Sequence, residues 1–149
     1  MTIRFANEAD AAALALLHAR TFPQAWSAGA VGGLLRDPAC LCVLADEAPA
    51  GAVGFVIARI AADEAEILTI AVAGEARRHG IATALMQTVE SALKLRGARR
   101  LFLEVGLGNE AAQGLYAKRG FAPVGRRQAY YAAAAGEAGD ALLLARDLS

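Results

Sequence analysis

A short segment with two arginines, a histidine and a glycine has the residue types that bind a negatively charged group. It reads Arg-Arg-His-Gly-Ile-Ala over residues 77–82. An apolar stretch rich in β-branched residues precedes it at 67–72 and a strongly helical stretch follows at 83–93, so we predict a turn between a strand and a helix. The first N–H groups of a helix lack partners within it and carry partial positive charge, and Gly80 lets backbone amides approach a ligand closely. The predicted ligand is a phosphate or a pyrophosphate.

Two common nucleotide-binding motifs do not fit this turn. A P-loop needs Gly-Lys-Ser/Thr at the start of the helix, which segment 77–83 lacks. The dinucleotide fingerprint needs three glycines, and this turn offers only Gly80. What remains is a phosphate-bearing ligand of another kind, held by backbone amides, arginine and one glycine.

The composition is that of a single domain, residues 1–149, with a substantial apolar core. Hydrophobic residues make up 56% of the chain, and 15 basic residues balance 15 acidic ones. This balance argues against broad electrostatic binding of nucleic acid or of an anionic membrane, and we read the Arg-Arg doublets at 99–100 and 126–127 as solvated surface. Cys40 and Cys42 are predicted as buried, reduced thiols, and we expect no metal site. Since neither a signal peptide nor an apolar stretch of membrane-spanning length is visible, the sequence favours a cytoplasmic protein.

The hydrophobic periodicity and the turn residues predict elements in the order β-α-α-β-β-β-α-β-α-β-β. We expect strands at 2–5, 40–45, 51–60, 66–73, 100–105, 121–125 and 141–146, and helices at 8–20, 28–36, 79–95 and 109–119. The strand–helix–strand unit at 66–105 implies a parallel pair of strands, and the hairpin before it is antiparallel. The predicted fold class is therefore α/β with a mixed sheet.

Several motifs resemble the GCN5-related N-acetyltransferase (GNAT) family. Arg77-x-x-Gly80-x-Ala82 is similar to its Gln/Arg-x-x-Gly-x-Gly/Ala motif. Segment 109–121, with Asn-Glu-Ala-Ala at its start and Leu-Tyr-Ala-Lys-Arg-Gly-Phe at its end, is similar to its Asn-x-x-Ala…Leu-Tyr-x-x-x-Gly-Phe helix. Together with the element order, the resemblance covers nearly the whole chain. It implies the family's fold, in which the two central parallel strands splay apart, and acetyl-CoA as the co-substrate.

The resemblance also implies a cofactor site. The pyrophosphate of acetyl-CoA would lie at the turn 77–83, and backbone groups of 70–72 would hold the pantetheine arm as they would an added strand. A free backbone N–H there would also stabilise the oxyanion of the reaction. Asn109 is expected either to cap its helix or to contact the cofactor as well. The residues expected to contact the cofactor are Ile70, Ala71, Val72, Arg77, Arg78, His79, Gly80, Ile81, Ala82, Thr83, Asn109 and Tyr116.

Within the family, the sequence is most similar to bacterial enzymes that acetylate the N-terminal alanine of a small-subunit ribosomal protein. Segment 22–27 resembles their Phe-Pro-Trp-Ser segment with Gln-Ala inserted, and Leu-Glu-Val at 103–105 with Asn109 resembles their Leu-Glu-Val-Arg-x-x-Asn. Segment 126–131 resembles their Arg-Arg-x-x-Tyr-Tyr loop, and Gly106 stands where they usually carry arginine. The resemblance implies a protein N-terminus as the acceptor, and we expect a monomer or a weak dimer.

Two residues are candidates for proton transfer. Glu104, near the end of a predicted strand, is the candidate general base, acting directly or through water, and the alternative is a carboxylate paired with an arginine. The resemblance makes Tyr116 the general acid that protonates the thiolate, and the alternative is a packing tyrosine. Glu104, Trp26, Tyr130 and Tyr131 are the candidate substrate-binding residues, and a core position is equally open for Trp26. A small-molecule amine as the acceptor, or a non-catalytic acyl-CoA-binding module, are the other functions considered.

Overall fold

The computed structural model describes residues 1–77, 80–127 and 140–149. Its strands are β1 (Thr2–Phe5), β2 (Cys40–Glu47), β3 (Gly51–Ala61), β4 (Glu64–Val72), β5 (Arg100–Gly106), β6 (Ala122–Arg127) and β7 (Ala141–Asp147). Its α-helices are α1 (Ala11–Thr21), α2 (Ala28–Arg36), α3 (Ile81–Leu95) and α4 (Glu110–Lys118), and short 3-10 turns span Glu8–Asp10 and Gly74–Ala76. The predicted order of elements is confirmed.

Seven strands form one mixed sheet in the order β1-β2-β3-β4-β5-β7-β6. The pair β4–β5 is parallel and the other neighbours are antiparallel, so the predicted mixed sheet is confirmed. Two boundaries differ from the sequence-based ones. The hairpin turn is shorter than 46–50, because Glu47 of β2 still pairs with Gly51 of β3. The residues at 126–127 belong to β6 rather than to a loop, because they pair with Leu142 and Ala141 of β7.

Capping residues fix where the helices begin. Ser27 Oγ accepts a hydrogen bond from Ala30 N (3.1 Å), which confirms Ser27 as the cap of α2. The predicted helix at 8–20 begins as a 3-10 turn. There Asn7 accepts from Ala9 N, and Asp10 accepts from Asn7 N in return. This reciprocal capping box starts the chain into α1.

Helices cover both faces of the sheet. An added Cβ on Gly54 of β3 would lie 3.0 Å from Ile81 and 3.2 Å from Leu85 of α3. The next residue, Phe55, lies instead against His18 of α1, with 6.4 Å between the ring centroids. Since successive strand residues point to opposite faces, α3 and α1 pack on opposite sides of β3. The core contains residues from both sides, and those with at most 2% exposure include Leu14, Leu17, Val31, Val43, Leu44, Phe55, Ile57, Leu85, Met86, Val89 and Leu93.

The parallel strands β4 and β5 separate toward their carboxyl ends. They pair only where residues 64–66 lie beside residues 100–102. Beyond that point β4 keeps its partner β3 as far as Val72, and β5 keeps its partner β7 as far as Gly106. The predicted splay is therefore present, and it leaves residues 67–72 of β4 without a strand on the β5 side.

Candidate active site

The open end of β4 borders a cavity of about 650 Å³. We call it the donor cavity, because most of the residues predicted to contact the cofactor line it. Those residues are Ile70, Ala71, Val72, Arg77, Gly80, Ile81, Ala82, Thr83, Asn109 and Tyr116. The sequence did not predict the others, which are Thr21, Phe22, Ala76, Ala111, Ala112 and Leu115. Arg78 and His79 lie outside the described residues.

The start of α3 forms one end of the donor cavity. Gly80 precedes the helix at φ +75°, a conformation that favours glycine, and no described atom lies within 4 Å of where its Cβ would be. The first intrahelical bond runs from Ala84 N to Gly80 O (3.0 Å), so the amides of residues 81–83 have no partner within the helix. The first turn of α3 carries no acidic side chain, so the partial positive charge of its amides is not offset there.

Arg77 contributes a positive charge at the same end. Its Nε donates to the carbonyl oxygen of Val72 (3.3 Å), the last residue of β4. This bond ties the side chain to the strand end while its guanidinium remains exposed beside the cavity. The strand end, the arginine and the free helical amides together provide donors for an anionic group.

Helix α4 forms the opposite wall of the donor cavity. Asn109 caps it, since its Oδ1 accepts from Ala112 N (3.2 Å), and Asn109 also lines the cavity. Gln113, which the sequence did not single out, donates to the carbonyl oxygens of Gly106 and Leu107 (2.9 Å each). These bonds fix the connection from β5 to α4 and therefore fix where α4 begins. Gly106, the last residue of β5, is held through its carbonyl oxygen, which accepts from Gln113 Nε2 and from Asn109 N (3.0 Å).

Tyr116 lies on α4 and combines packing with access to the donor cavity. Its side chain is 5% exposed and its ring meets Phe121 edge-on, with 5.7 Å between centroids. It is also one of the residues that line the donor cavity. The packing holds the ring in place, so the phenol has a fixed position relative to a ligand in that cavity.

Glu104 lines a second cavity, of about 320 Å³, which we call the acceptor cavity. Its neighbours Leu103 and Val105 are 3% and 4% exposed, whereas Glu104 points away from them to the other face of β5 and is exposed. The acceptor cavity also contains residues 66–68 of β4, and residues 70–72 line the donor cavity. Neighbouring segments of β4 therefore line the two cavities, with Tyr116 in one and Glu104 in the other.

Arg127 of β6 contacts Glu104 across the acceptor cavity, with 3.4 Å between Nη1 and Oε2. Leu143 of β7 lies opposite Glu104 on one side and opposite Gly125 on the other, so Glu104 and Arg127 share a face of the sheet. Arg126 points to the other face, where its Nε bonds to Asp140 (2.9 Å). Both arginines are exposed, as expected for this doublet, and each also makes an ion pair.

Trp26 does not line either cavity among the described residues. It is half-buried against the core, and its ring stacks on His18 with 4.7 Å between centroids. Tyr130 and Tyr131 lie outside the described residues. The structure therefore shows Trp26 packed against the core, and the acceptor groove of Trp26, Tyr130 and Tyr131 stays a prediction.

Neither a metal centre nor a membrane span is found within residues 1–77, 80–127 and 140–149. No group of three His, Cys, Asp or Glu side chains is placed there to hold a metal ion, and no helix is long and apolar enough to cross a bilayer. Cys40 is half-buried and Cys42 is buried, and both are free thiols. Burial raises the pKa of Cys42 to about 12, so it stays protonated and behaves as a small apolar residue.

Comparison with known proteins gives matches at the level of sequence and of structure. The model of the Acetyltransferase (GNAT) family matches residues 11–121. The ribosomal protein bS18-alanine N-acetyltransferase of Escherichia coli K12 is 36% identical over 95 residues, which is 64% of this chain and 64% of that protein. The chain spans about half to two thirds of the length of the curated relatives it matches, 48% in one case and 64% in another.

Two solved structures extend these matches to the whole fold. The crystal structure of the ribosomal-protein-S18-alanine N-acetyltransferase from Escherichia coli has a TM-score of 0.90 at 28% identity, covering 99% of this chain and 94% of that one. Arabidopsis thaliana NAA60 in complex with acetyl-CoA has a TM-score of 0.81 at 22% identity, covering 98% of this chain and 97% of that one. The second likeness is one of fold alone.

Proposed function

The chain belongs to the GNAT acetyltransferase family, and from this premise we propose that it transfers an acetyl group from acetyl-CoA to the α-amino group of a protein N-terminus. The proposed acceptor is the N-terminal alanine of ribosomal protein bS18. The Escherichia coli relative is a ribosomal protein bS18-alanine N-acetyltransferase, and this likeness together with the match over nearly the whole fold supports this acceptor. Since the proposed acceptor is a ribosomal protein, the proposed reaction takes place in the cytoplasm.

The observation that carries the proposal is the donor cavity between the open end of β4 and the start of α3. A pyrophosphate would bind the free amides of residues 81–83 and the guanidinium of Arg77. From there the pantetheine arm would run along residues 70–72, whose backbone has no strand on the β5 side. The thioester would then lie on β4 between residues 70–72, which line the donor cavity, and residues 66–68, which line the acceptor cavity.

The acceptor amine must lose a proton before it can attack. An α-ammonium group has a pKa of about 7.7–8.0, so only a minority is neutral at pH 7. In the proposed mechanism Glu104 accepts that proton, directly or through one water, from an amine in the acceptor cavity. The nitrogen lone pair then attacks the thioester carbon, and a backbone N–H of β4 donates to the developing oxyanion.

Collapse of this tetrahedral intermediate breaks the carbon–sulfur bond, and the nitrogen releases its second proton to solvent, which leaves the neutral amide. The sulfur departs with the bonding electrons, and in the proposed mechanism the phenol of Tyr116 gives it a proton to form the thiol of CoA. A phenol has an ordinary pKa near ~10, so it is protonated and able to donate at neutral pH. Tyr116 regains its proton from solvent once the products leave.

Arg127 competes with the acceptor amine for Glu104 in this proposal. Its Nη1 lies 3.4 Å from Glu104 Oε2, with the two side chains 59% and 30% exposed. An incoming ammonium group carries the same charge and competes for the same carboxylate. The long distance and the exposure make the ion pair weak, worth at most about 1 kcal/mol, so a substrate amine can displace Arg127.

An acetylation assay tests the proposal. Purified protein with acetyl-CoA is given peptides that begin with Ala, Ser, Met or Thr, and small amines such as a polyamine, and thiol release is followed. A matched peptide with a blocked N-terminus but the same lysines is the control. Turnover on the free Ala peptide and none on the blocked peptide is expected. Turnover on small amines alone would contradict a protein acceptor, and no thiol release with any amine would contradict an enzyme.

A further inference from the structure

Glu90 of α3 is a buried carboxylate, 5% exposed, that the proposed mechanism does not use. Arg119, the residue that ends α4, donates from Nη2 to Glu90 Oε1 (2.9 Å). Arg146 of β7 donates from Nη1 to the same oxygen. These three side chains, which we call the ion triad, therefore join α3, α4 and β7 at one point.

The ion triad holds the carboxyl-terminal end of α4. Arg119 N donates to the carbonyl oxygen of Tyr116 (3.0 Å), so the Arg119 side chain leaves the helix one turn after Tyr116. A Cβ added to Gly120 would lie 3.7 Å from Arg146 Nε, so Arg146 packs beside the residue that follows Arg119. Within the described residues, the bond from Arg119 to Glu90 is the one ion pair between α4 and α3.

The two ends of α4 are held in different ways. At the amino-terminal end, Asn109 caps the helix and Gln113 bonds to the connection from β5. Among the α4 residues, all of which the structure describes, Tyr116 alone is buried. Loss of the Arg119 bond would therefore free the end of α4 that carries Tyr116 and leave the Asn109 end in place.

The helices that the ion triad joins are also two walls of the donor cavity. The start of α3 supplies the free amides of residues 81–83, and α4 supplies Tyr116. Since a helix is a stiff rod of fixed rise, a contact made at Glu90 further along α3 also fixes where those amides lie relative to α4. The ion triad thus sets the spacing between the predicted pyrophosphate site and the phenol.

We propose that Arg119 is a positioning residue for acyl transfer: bound to Glu90, it holds Tyr116 at a fixed place relative to the helix that binds the pyrophosphate. The proposal rests on the proposed function, because it takes Tyr116 as the general acid. Glu90 Oε2 and Arg119 Nε are buried and have no hydrogen-bond partner among the described residues. A buried ion cluster satisfied in this incomplete way adds little net stability, so its contribution is the fixed geometry.

Two variants of the ion triad form a matched pair. Arg119→Met and Arg146→Met each remove one of the two arginines bound to Glu90 and leave the other, so neither variant leaves the carboxylate unpaired. Only Arg119→Met releases α4, whereas Arg146→Met keeps a side chain of similar length beside Gly120. Arg119→Lys keeps a cationic donor and serves as the rescue variant, and Arg119→Gln replaces Arg119→Met if that chain does not fold.

We expect Arg119→Met to lower kcat by about tenfold to a hundredfold, because a small displacement of a catalytic group is enough for such a loss. The KM for the acceptor peptide stays unchanged, since Glu104 and the acceptor cavity are formed by strands rather than by α4. Arg146→Met and Arg119→Lys stay close to wild type in both constants. When Tyr116 is already replaced by Phe, Arg119→Met causes little further loss, because both changes act through the same phenol.

Hydrogen exchange of the α4 amides gives a readout that needs no activity. We expect faster exchange near Tyr116 in Arg119→Met than in Arg146→Met, measured without ligand. Equal losses of kcat in these two variants, or an undiminished effect of Arg119→Met in the Tyr116→Phe background, would overturn the proposal. If no amine is acetylated, faster exchange in Arg119→Met alone would retain the tether and refute the proposed function, and equal exchange in the two variants would refute the tether itself.

Discussion

The glycine before α3 offers the sharpest test of the donor site, because the chain contains a matched control. Gly80 has φ +75° and Gly97, just beyond the other end of α3, has φ +94°. No described atom lies within 4 Å of a Cβ added at either position. Gly80→Ala and Gly97→Ala therefore cause the same backbone strain, roughly 1–2 kcal/mol, without a steric clash inside the protein.

The two variants differ only in what lies outside the protein at each position. At Gly80 the added methyl group would occupy open space at the end of the donor cavity, where a phosphate would approach the amides of residues 81–83. Loss of one charge-assisted hydrogen bond costs about 1.5–3 kcal/mol, which weakens binding of acetyl-CoA by about tenfold to a hundredfold. At Gly97 no ligand is expected, so its substitution leaves the affinity unchanged.

Two measurements on the two variants separate strain from ligand binding. Chemical unfolding without ligand gives the free energy of unfolding, which we expect to fall by a similar amount in both. Calorimetric titration with acetyl-CoA gives the Kd, which we expect to rise in Gly80→Ala alone. Equal Kd values in the two variants would refute the assignment of this turn to the pyrophosphate.

Three further predictions concern side chains. Glu104→Gln and Tyr116→Phe should each lower kcat by about 10²- to 10⁴-fold with little change in the Kd for acetyl-CoA, measured by thiol release and calorimetry, and wild-type turnover in either variant would remove that residue from the mechanism. Arg127→Met should lower the KM for the peptide by up to about fivefold, because the competing guanidinium is gone, and an increased KM would mean that Arg127 holds the substrate instead. Burial lowers the pKa of His18 below 6.5, so the unfolded chain binds the proton more readily and the stability falls as the pH drops below 6.5. Melting temperatures at pH 7.5 and 5.5 should differ more in wild type than in H18N, and equal differences would show that His18 does not contribute.

Local sequence signals predicted most of the donor site. A strand, a glycine-bearing turn and a helix start are close together in the chain, and Gly80 has the positive φ for which glycine is needed. The two roles expected for Asn109, helix cap and cofactor contact, were also inferred from residues near it in the chain. The structure shows Asn109 as the cap of α4 and as a residue that lines the donor cavity. Short-range patterns of this kind depend on backbone geometry that nearby residues determine.

Contacts between distant residues could not be read from the sequence. The pair Glu104–Arg127 depends on the register of β5, β7 and β6, and the pairing of β6 with β7 shifts between Pro123 and Gly125. A one-residue slip would have turned Arg127 to the other face, and no sequence signal specifies that register. The sequence left the Arg-paired reading of Glu104 open, and the structure supplies the partner.

The buried histidine was missed for the same reason. In the sequence His18 is one isolated histidine on a helix, and its bond to the Trp26 amide depends on the path of the connection between α1 and α2. The sequence presents Phe22 and Trp26 as part of a motif and Trp26 as a candidate substrate-binding or core residue, with nothing to link either ring to His18. Their stacking on His18 is a feature of tertiary packing, which no periodicity in the chain encodes.

The most direct test of the central claim is to locate the transferred acetyl group by mass spectrometry. The protein is incubated with acetyl-CoA and a peptide that has an N-terminal alanine and an internal lysine, and the product is fragmented. We expect a single acetyl group on the α-amino nitrogen of the alanine. An acetyl group on the lysine side chain, with the N-terminus free, would contradict it.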